Sequence, residues 1–270
     1  GSSGELLNEF RDRLTEWCEL SRNTLALVLN AGEGLLLGEF LRRISEENVY
    51  ALVESSDEKQ ILGTLFNKTT TGTEAKIAVD SSGCPASFEI ADLRFERIVG
   101  RNVLQKHADK SGFLETLKPW ISADGFFVFG ETVPALGQRL SDLIPEELLE
   151  PDFRKRLKAA EKEIYLDEEN VRSSWTPSTL RDELKGANWN IIRWQVKEYC
   201  IPTMIRTEQI EQWFPSHQDS PHSSYGQRLS AYFSPEQLNY LRETFLNEVA
   251  GKVVEWHSVS LFMQLKPKIK

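Results

Sequence analysis

Three cysteines in 270 residues, Cys18, Cys84 and Cys200, are too few and too far apart for a disulfide framework or a zinc site. They read as free thiols of a cytoplasmic protein. No stretch approaches the ~20 apolar residues that a membrane helix needs, and no signal peptide is visible. Positive charge is scarce as well. The formal net charge is −9 and the pI about 5.2, so the chain repels phosphate backbones at long range and strong bulk affinity for nucleic acid is not expected. The basic residues that do cluster are Arg154, Lys155, Arg156, Lys158 and Lys162, and the tail residues Lys266, Lys268 and Lys270. Their plain reading is a solvated helix face and a frayed end. Internal repeats and a linker are also missing. What remains, 40% hydrophobic and 27% charged, is an ordinary globular composition. Gly1-Ser2-Ser3-Gly4 reads as an expression scar. Residues 5–270 read as one domain with insertions at about 135–170 and 202–251.

Strand and helix patterns alternate over the first half. Leu6, Leu7, Phe10, Leu14, Trp17 and Leu20 recur at helical spacing, and Leu25–Leu29 follows as a short buried strand. Leu36, Leu37, Phe40, Leu41 and Ile44 mark the next helix. Further strands are predicted at Val49–Val53, Lys76–Val79, Phe95–Val99 and Phe126–Gly130. Asp57 to about Asn67 reads as a polar helix or loop, Lys68–Glu74 as a Thr-rich loop, and Asp109–Leu117 as a helix. This alternation predicts an α/β, doubly wound and mostly parallel seven-stranded sheet with covered faces. Beyond Glu131, Ala135–Asp167 reads as mostly helical. Thr176-Pro177 starts a helix to about Ala187, and Ile191–Tyr199 and Val253–Leu265 read as an antiparallel-looking pair of strands. Between them, the capping box Ser234-Pro235-Glu236-Gln237 opens a helix that Gly251 closes.

The chemistry concentrates in Leu25–Arg43, where a buried strand runs into Gly32 and Gly34 and then a helix. Glycines let a ligand approach the backbone, and the helix start offers unpaired N–H groups. A dinucleotide site wants Gly-x-Gly-x-x-Gly, but Leu37 holds the third position, which disfavours a dehydrogenase.

The order of the motifs resembles the class I S-adenosylmethionine-dependent methyltransferases. Asn30-Ala31-Gly32-Glu33-Gly34-Leu35-Leu36 is similar to their first glycine motif with two of its three glycines. Glu54 ends the second strand and Asp80 the third. Phe95-Glu96-Arg97-Ile98-Val99 resembles their fourth strand, and Asp124–Glu131, after Lys118-Pro119, their fifth. Thr179-Leu180, Leu184 and Ala187-Asn188-Trp189 are similar to the helix and turn before the sixth. A narrower resemblance rests on Gly100-Arg101-Asn102-Val103-Leu104 and Gly130-Glu131-Thr132-Val133-Pro134. It points to a methyltransferase-like C-terminal domain fused behind AAA+ ATPases of the replication-associated recombination type, mainly in cyanobacteria. The implied setting is DNA maintenance, and the chain would then be a domain excised from a longer protein.

The resemblance implies S-adenosylmethionine as the cofactor, with no metal. Gly32 and Gly34 would line its methionine part, Asn30 would act near its ammonium group, Glu54 would hold the ribose, and Asp80 would sit at the adenine edge. Arg101, Asn102 and His107 follow the fourth strand, where such enzymes face the acceptor, and Glu131 is an alternative base. Methyl transfer from a sulfonium needs chiefly in-line positioning. A general base matters only for acceptors that must lose a proton. Each residue also has a plainer reading: the glycines as a tight turn, Glu54 as a strand-end carboxylate, His107 as a surface histidine, Arg101 and Asn102 as loop braces. The Asn-Pro-Pro-Tyr signature of nucleic-acid amino-group methyltransferases is absent, which weighs against adenine or cytosine N-methylation and leaves O-, C- or N-acceptors open. Asn30 and Leu36 stand where the family has a carboxylate and a glycine. A second reading therefore stands beside the first: a degenerate fold serving as a binding module of a AAA+ ATPase. Trp175, Trp213, Trp256, Tyr225 and Tyr232 would serve an acceptor pocket, a protein interface or the core.

Overall fold

The structure, a computed structural model, describes residues 3–66, 76–216 and 223–269. The expected loop at Lys68–Glu74, Gly1 and Ser2 of the scar, and Lys270 lie outside the described residues. Helix α1 (Ser3–Cys18) precedes β1 (Ala26–Leu29), α2 (Leu35–Arg43) and β2 (Val49–Val53). Then come α3 (Ser56–Phe66), β3 (Lys76–Val79), β4 (Phe95–Arg101), α4 (Lys110–Leu117) and β5 (Ile121–Thr132). The rest is α5 (Pro151–Leu166), α6 (Pro177–Gly186), β6 (Trp189–Met204), α7 (Thr207–Trp213), α8 (Tyr225–Leu229), α9 (Pro235–Glu248) and β7 (Val253–Pro267).

The seven strands form one sheet in the order β3-β2-β1-β4-β5-β7-β6. The first five are parallel, with Val28 facing Ala51 on one side and Val99 on the other. β7 runs antiparallel to β5, pairing Phe129 with Met263. The predicted α/β sheet is therefore present, with β7 antiparallel to β5. β1 and β2 are buried along their whole length, the burial expected of a parallel sheet covered on both faces.

By contact the chain gathers into two compact units. The sheet unit comprises Gly4–Thr132, Pro177–Lys197 and the chain from Ser260. Its core joins Phe10, Leu14 and Trp17 of α1 to Leu36, Leu37 and Phe40 of α2 and to the strand residues Val28, Ala51, Val99 and Val128.

The helical unit comprises Val133–Thr176 and Glu198–Val259, which takes in both insertions. Its own core is built on Phe153, Leu157, Ile164, Ile210, Phe214, Leu241 and Phe245. The stretch after Glu131 is less helical than its sequence predicts. Three short 3-10 turns (Pro134–Leu136, Leu140–Leu143, Glu146–Leu148) precede α5. Pro145 and Pro151 prevent a continuous helix, because each lacks a backbone N–H. Pro151 instead opens α5, where the Glu150 carboxylate accepts the N–H groups of Asp152 and Phe153 at 3.2 and 2.9 Å. The capping box at Ser234 forms as predicted.

Candidate functional site

Strand order alone locates a crevice. The chain builds β1, β2 and β3 in one direction, then crosses back to place β4 on the other side of β1. Loops leaving the carboxyl ends of β1 and β4 therefore diverge, and in doubly wound sheets ligands bind at that point. Asn30 leaves β1 there, and Arg101 closes β4 there.

After β1 the backbone makes one 3-10 turn, Ala31–Glu33, bracketed by two left-handed residues, Asn30 (φ 50°) and Gly34 (φ 73°). Asparagine tolerates this conformation through its short polar side chain, and glycine does so without steric penalty. Gly32 has a different reason. A Cβ built on it would lie 2.4 Å from Glu58 Oε1, so the Glu58 carboxylate occupies the space that a side chain would fill. The Glu58 carboxylate accepts the N–H of Glu54 at 2.8 Å, and its own N–H donates to Ser55 Oγ at 3.2 Å. This is a helix-capping arrangement that the Ser55-Ser56-Asp57-Glu58 pattern encodes.

Asn30 then ties the crevice together. Its Nδ2 donates to the backbone oxygen of Arg101 at 2.9 Å, and its Oδ1 accepts from Lys106 Nζ at 2.9 Å. The same ammonium is hydrogen-bonded to the Glu54 carboxylate. Arg101 forms a forked pair with Glu33 at 2.9 and 2.7 Å, with its guanidinium 5.2 Å from the centre of the Phe10 ring. Glu33 thus spends its charge on Arg101. Arg101 Nε is buried and has no hydrogen-bond partner. Arg11, Leu14, Asn30, Gly34, Leu36 and Arg101 enclose a cavity of about 10 Å³, room for about one water. Leu36 is also 93% buried in the α2 core.

The remaining predicted residues are held in other ways. Asp80 accepts both the N–H and the hydroxyl of Ser82, at 2.8 and 2.5 Å, closing its own turn; its N–H donates to Val53 O at 2.9 Å beside Glu54. Asn102 is left-handed (φ 54°), accepts from Thr132 N–H and donates its own N–H to Gly130 O, both at 2.8 Å, bracing β4 against β5. His107 stacks on Phe113 at 3.8 Å and 8°. Burial, helped by Lys110 and Lys106, holds its pKa below the usual histidine value. Glu131 is fully buried. Its Oε1 accepts the N–H of Leu104, opening the 3-10 turn Leu104–Lys106, while Oε2 has no partner. Burial raises its pKa to about 8 against the opposing pull of the Leu104 and Gln105 N–H groups, so at neutral pH it is largely protonated.

The structure thus joins Asn30, Gly32, Gly34, Glu54 and Arg101 in one cradle, with Asp80 one strand further along. Glu131 and Asn102 brace its walls. Two residues of the cradle, Lys106 and Glu58, are absent from the residues singled out in the sequence. Glu58 carries a visible signal in the Ser-x-x-Glu pattern. Lys106 carries none, because its partners lie 76 and 52 positions away. Of the aromatics, Trp175 is buried, Trp213 and Tyr225 pack on Phe245, and Trp256 lies against the helical core. Tyr232 is exposed.

No known protein family matches the chain, and no curated protein does. Solved structures do. A putative methyltransferase from Bacillus halodurans superposes with a TM-score of 0.58 at 13% identity, covering 97% of this chain and 100% of that one. The [4+2]-cyclase SpnF gives 0.52 at 11%, covering 97% and 82%. A Haemonchus contortus phosphoethanolamine N-methyltransferase, in complex with phosphomonomethylethanolamine and S-adenosylhomocysteine, gives 0.50 at 12%, covering 96% of this chain and 53% of that one. At these identities the likeness is one of fold. The chain has the class I S-adenosylmethionine-dependent methyltransferase-like fold, α/β with the strand order 3-2-1-4-5-7-6 and β7 antiparallel. Among the described residues no helix is long and apolar enough to cross a membrane, and no cluster of metal-ligating side chains occurs.

Proposed function

We propose that this chain is an S-adenosylmethionine-dependent methyltransferase whose donor lies in the cradle at the carboxyl ends of β1, β2 and β4. The observation that carries the reading is the convergence of Asn30, Gly32, Gly34 and the Glu54 carboxylate at the topological switch point. The residues fit such a donor. A carboxylate at the end of β2, 45% exposed, accepts the hydroxyls of a ribose. Gly32 lacks a Cβ, and the Glu58 carboxylate fills the space beside it. The unpartnered Arg101 Nε is a buried donor suited to an anionic group such as a carboxylate. Asp80 serves the adenine edge. The donor supplies an already activated methyl on sulfonium, so the chain's task is alignment. Where an acceptor must lose a proton, His107 is the base of choice, since its depressed pKa keeps it neutral near pH 7. Asn102 and Glu131 act through position, holding the ends of β4 and the turn that follows.

The test is calorimetric titration with S-adenosylmethionine and S-adenosylhomocysteine. Micromolar binding that weakens at least about tenfold in Glu54→Ala is expected, the loss of a hydrogen bond to a charged acceptor. No heat and no thermal stabilisation at millimolar ligand defeats the enzyme reading.

A second reading has its own support in the tight cradle: the Lys106 ammonium is already paired with Glu54, and the Glu58 carboxylate fills the space beside Gly32. In it the fold is a catalytically silent binding module, of the kind the sequence resembles behind a AAA+ ATPase. The same titration separates the two.

A further inference from the structure

The cradle already holds a cation, and it belongs to the chain. Lys106 Nζ sits between Asn30 Oδ1 at 2.9 Å and the Glu54 carboxylate. Both contacts are specified by surrounding structure. The amide of Asn30 cannot turn its nitrogen towards Lys106 without losing the bond from Nδ2 to Arg101 O, so an oxygen faces the ammonium. The backbone under Lys106 is anchored by the buried Glu131 carboxyl, which accepts the N–H at the start of the Leu104–Lys106 turn. The lysine side chain itself is 26% exposed, with its ammonium on Asn30 and Glu54.

We propose that Lys106 is an internal competitor for the donor's seat and sets the donor affinity of this chain. The inference rests on the reading of the cradle as a donor site. The donor carries positive charge on its sulfonium and its ammonium. Two cations drawn to Asn30 and Glu54 exclude each other, because like charges a few ångströms apart repel. Binding therefore requires Lys106 to leave Glu54. The ion pair is partly solvated, and such pairs are weak, so the lysine is a tunable brake rather than a block. An asparagine in place of the family's carboxylate fits this arrangement. It can donate to Arg101 O and accept from Lys106 at once, whereas a carboxylate can only accept.

The experiment is titration of the whole chain with S-adenosylmethionine, comparing wild type, Lys106→Gln and Lys106→Arg at 25 °C, with circular dichroism confirming that all three are folded. Lys106→Gln is expected to bind roughly 3–5-fold tighter, the upper part of the range that a partly exposed ion pair allows. Lys106→Arg, which keeps the charge, should stay within about twofold of wild type. Raising the salt should narrow the gap between wild type and Lys106→Gln by screening. Binding by wild type with Lys106→Gln equal or weaker, or with Gln and Arg variants alike, overturns the competition and leaves the donor site standing. Failure of all three proteins to bind at millimolar ligand removes the donor site and the competition together.

Discussion

Each compact unit has one almost fully buried glutamate whose pKa burial raises, and the two are used alike up to a point. In the sheet unit Glu131 accepts the N–H that opens the 3-10 turn Leu104–Lys106. In the helical unit Glu161 accepts the N–H of Ser141 at 3.0 Å, in the 3-10 turn Leu140–Leu143. Both carboxyls are at least 99% buried, both leave one oxygen unpartnered, and burial raises both pKa values. They differ in company. Cations Lys110 and Lys106 act on Glu131, while burial is the main influence on Glu161, which Asp142 also repels. They differ more in what the turn carries. The first delivers Lys106 to Asn30 and Glu54, and the second closes a stretch of helical core. A buried acid with a displaced pKa thus identifies a point of structural investment, and the neighbours of the turn it holds decide whether a site is involved.

Titrating the first glutamate gives the largest expected effect. The native chain keeps the Glu131 proton up to about pH 8, while the unfolded chain releases it near the ordinary glutamate value. The native state therefore binds more protons between these limits, and stability falls as pH rises through the window. At about 1.4 kcal/mol per unit, the loss by pH 9 is on the order of 4 kcal/mol. Urea unfolding at pH 5, 7 and 9 should show this slope in wild type and a flatter one in Glu131→Gln. Equal slopes would mean that Glu131 is solvated.

Truncation sharpens the contrast between the units. Glu131→Ala and Glu161→Ala each strand a backbone N–H and should each cost about 1–3 kcal/mol in urea unfolding. Glu131→Ala also frees the Lys106 turn and should change donor affinity, whereas Glu161→Ala should leave it within about twofold. A matching change in both variants would erase the distinction between the two turns.

The smallest effect belongs to a carboxylate moved the other way. Glu39 on α2 is pulled down to about 2 by hydrogen bonds from Arg42, with Arg43 adding to the pull against the cost of burial. Its contribution is present above the ordinary glutamate value and disappears as pH falls towards 2. Glu39→Gln should cost about 1 kcal/mol at pH 7, since both arginines are solvated, and nothing at pH 2. A persistent deficit in acid would assign the loss to packing.

Local pattern by itself determined the strands and most helices of the sheet unit. Runs such as Val49–Val53 are fully buried and apolar throughout, and the Ser234 and Pro177 starts obey short-range capping rules. It also determined where the crevice opens, because Gly32, Gly34 and Glu54 are tied to the ends of those strands. Helix content between Ala135 and Asp167 was less legible, since prolines there open one helix and forbid another. Only the tertiary structure decided what fills the crevice. Lys106 meets Asn30 and Glu54 across 76 and 52 residues, and Glu131 reaches Leu104 across 27. Periodicity reports which face of an element is apolar. It carries no record of which distant side chain a neutral oxygen or a buried carboxyl will meet, because that depends on how β1, β2, β4 and β5 are ordered in the sheet.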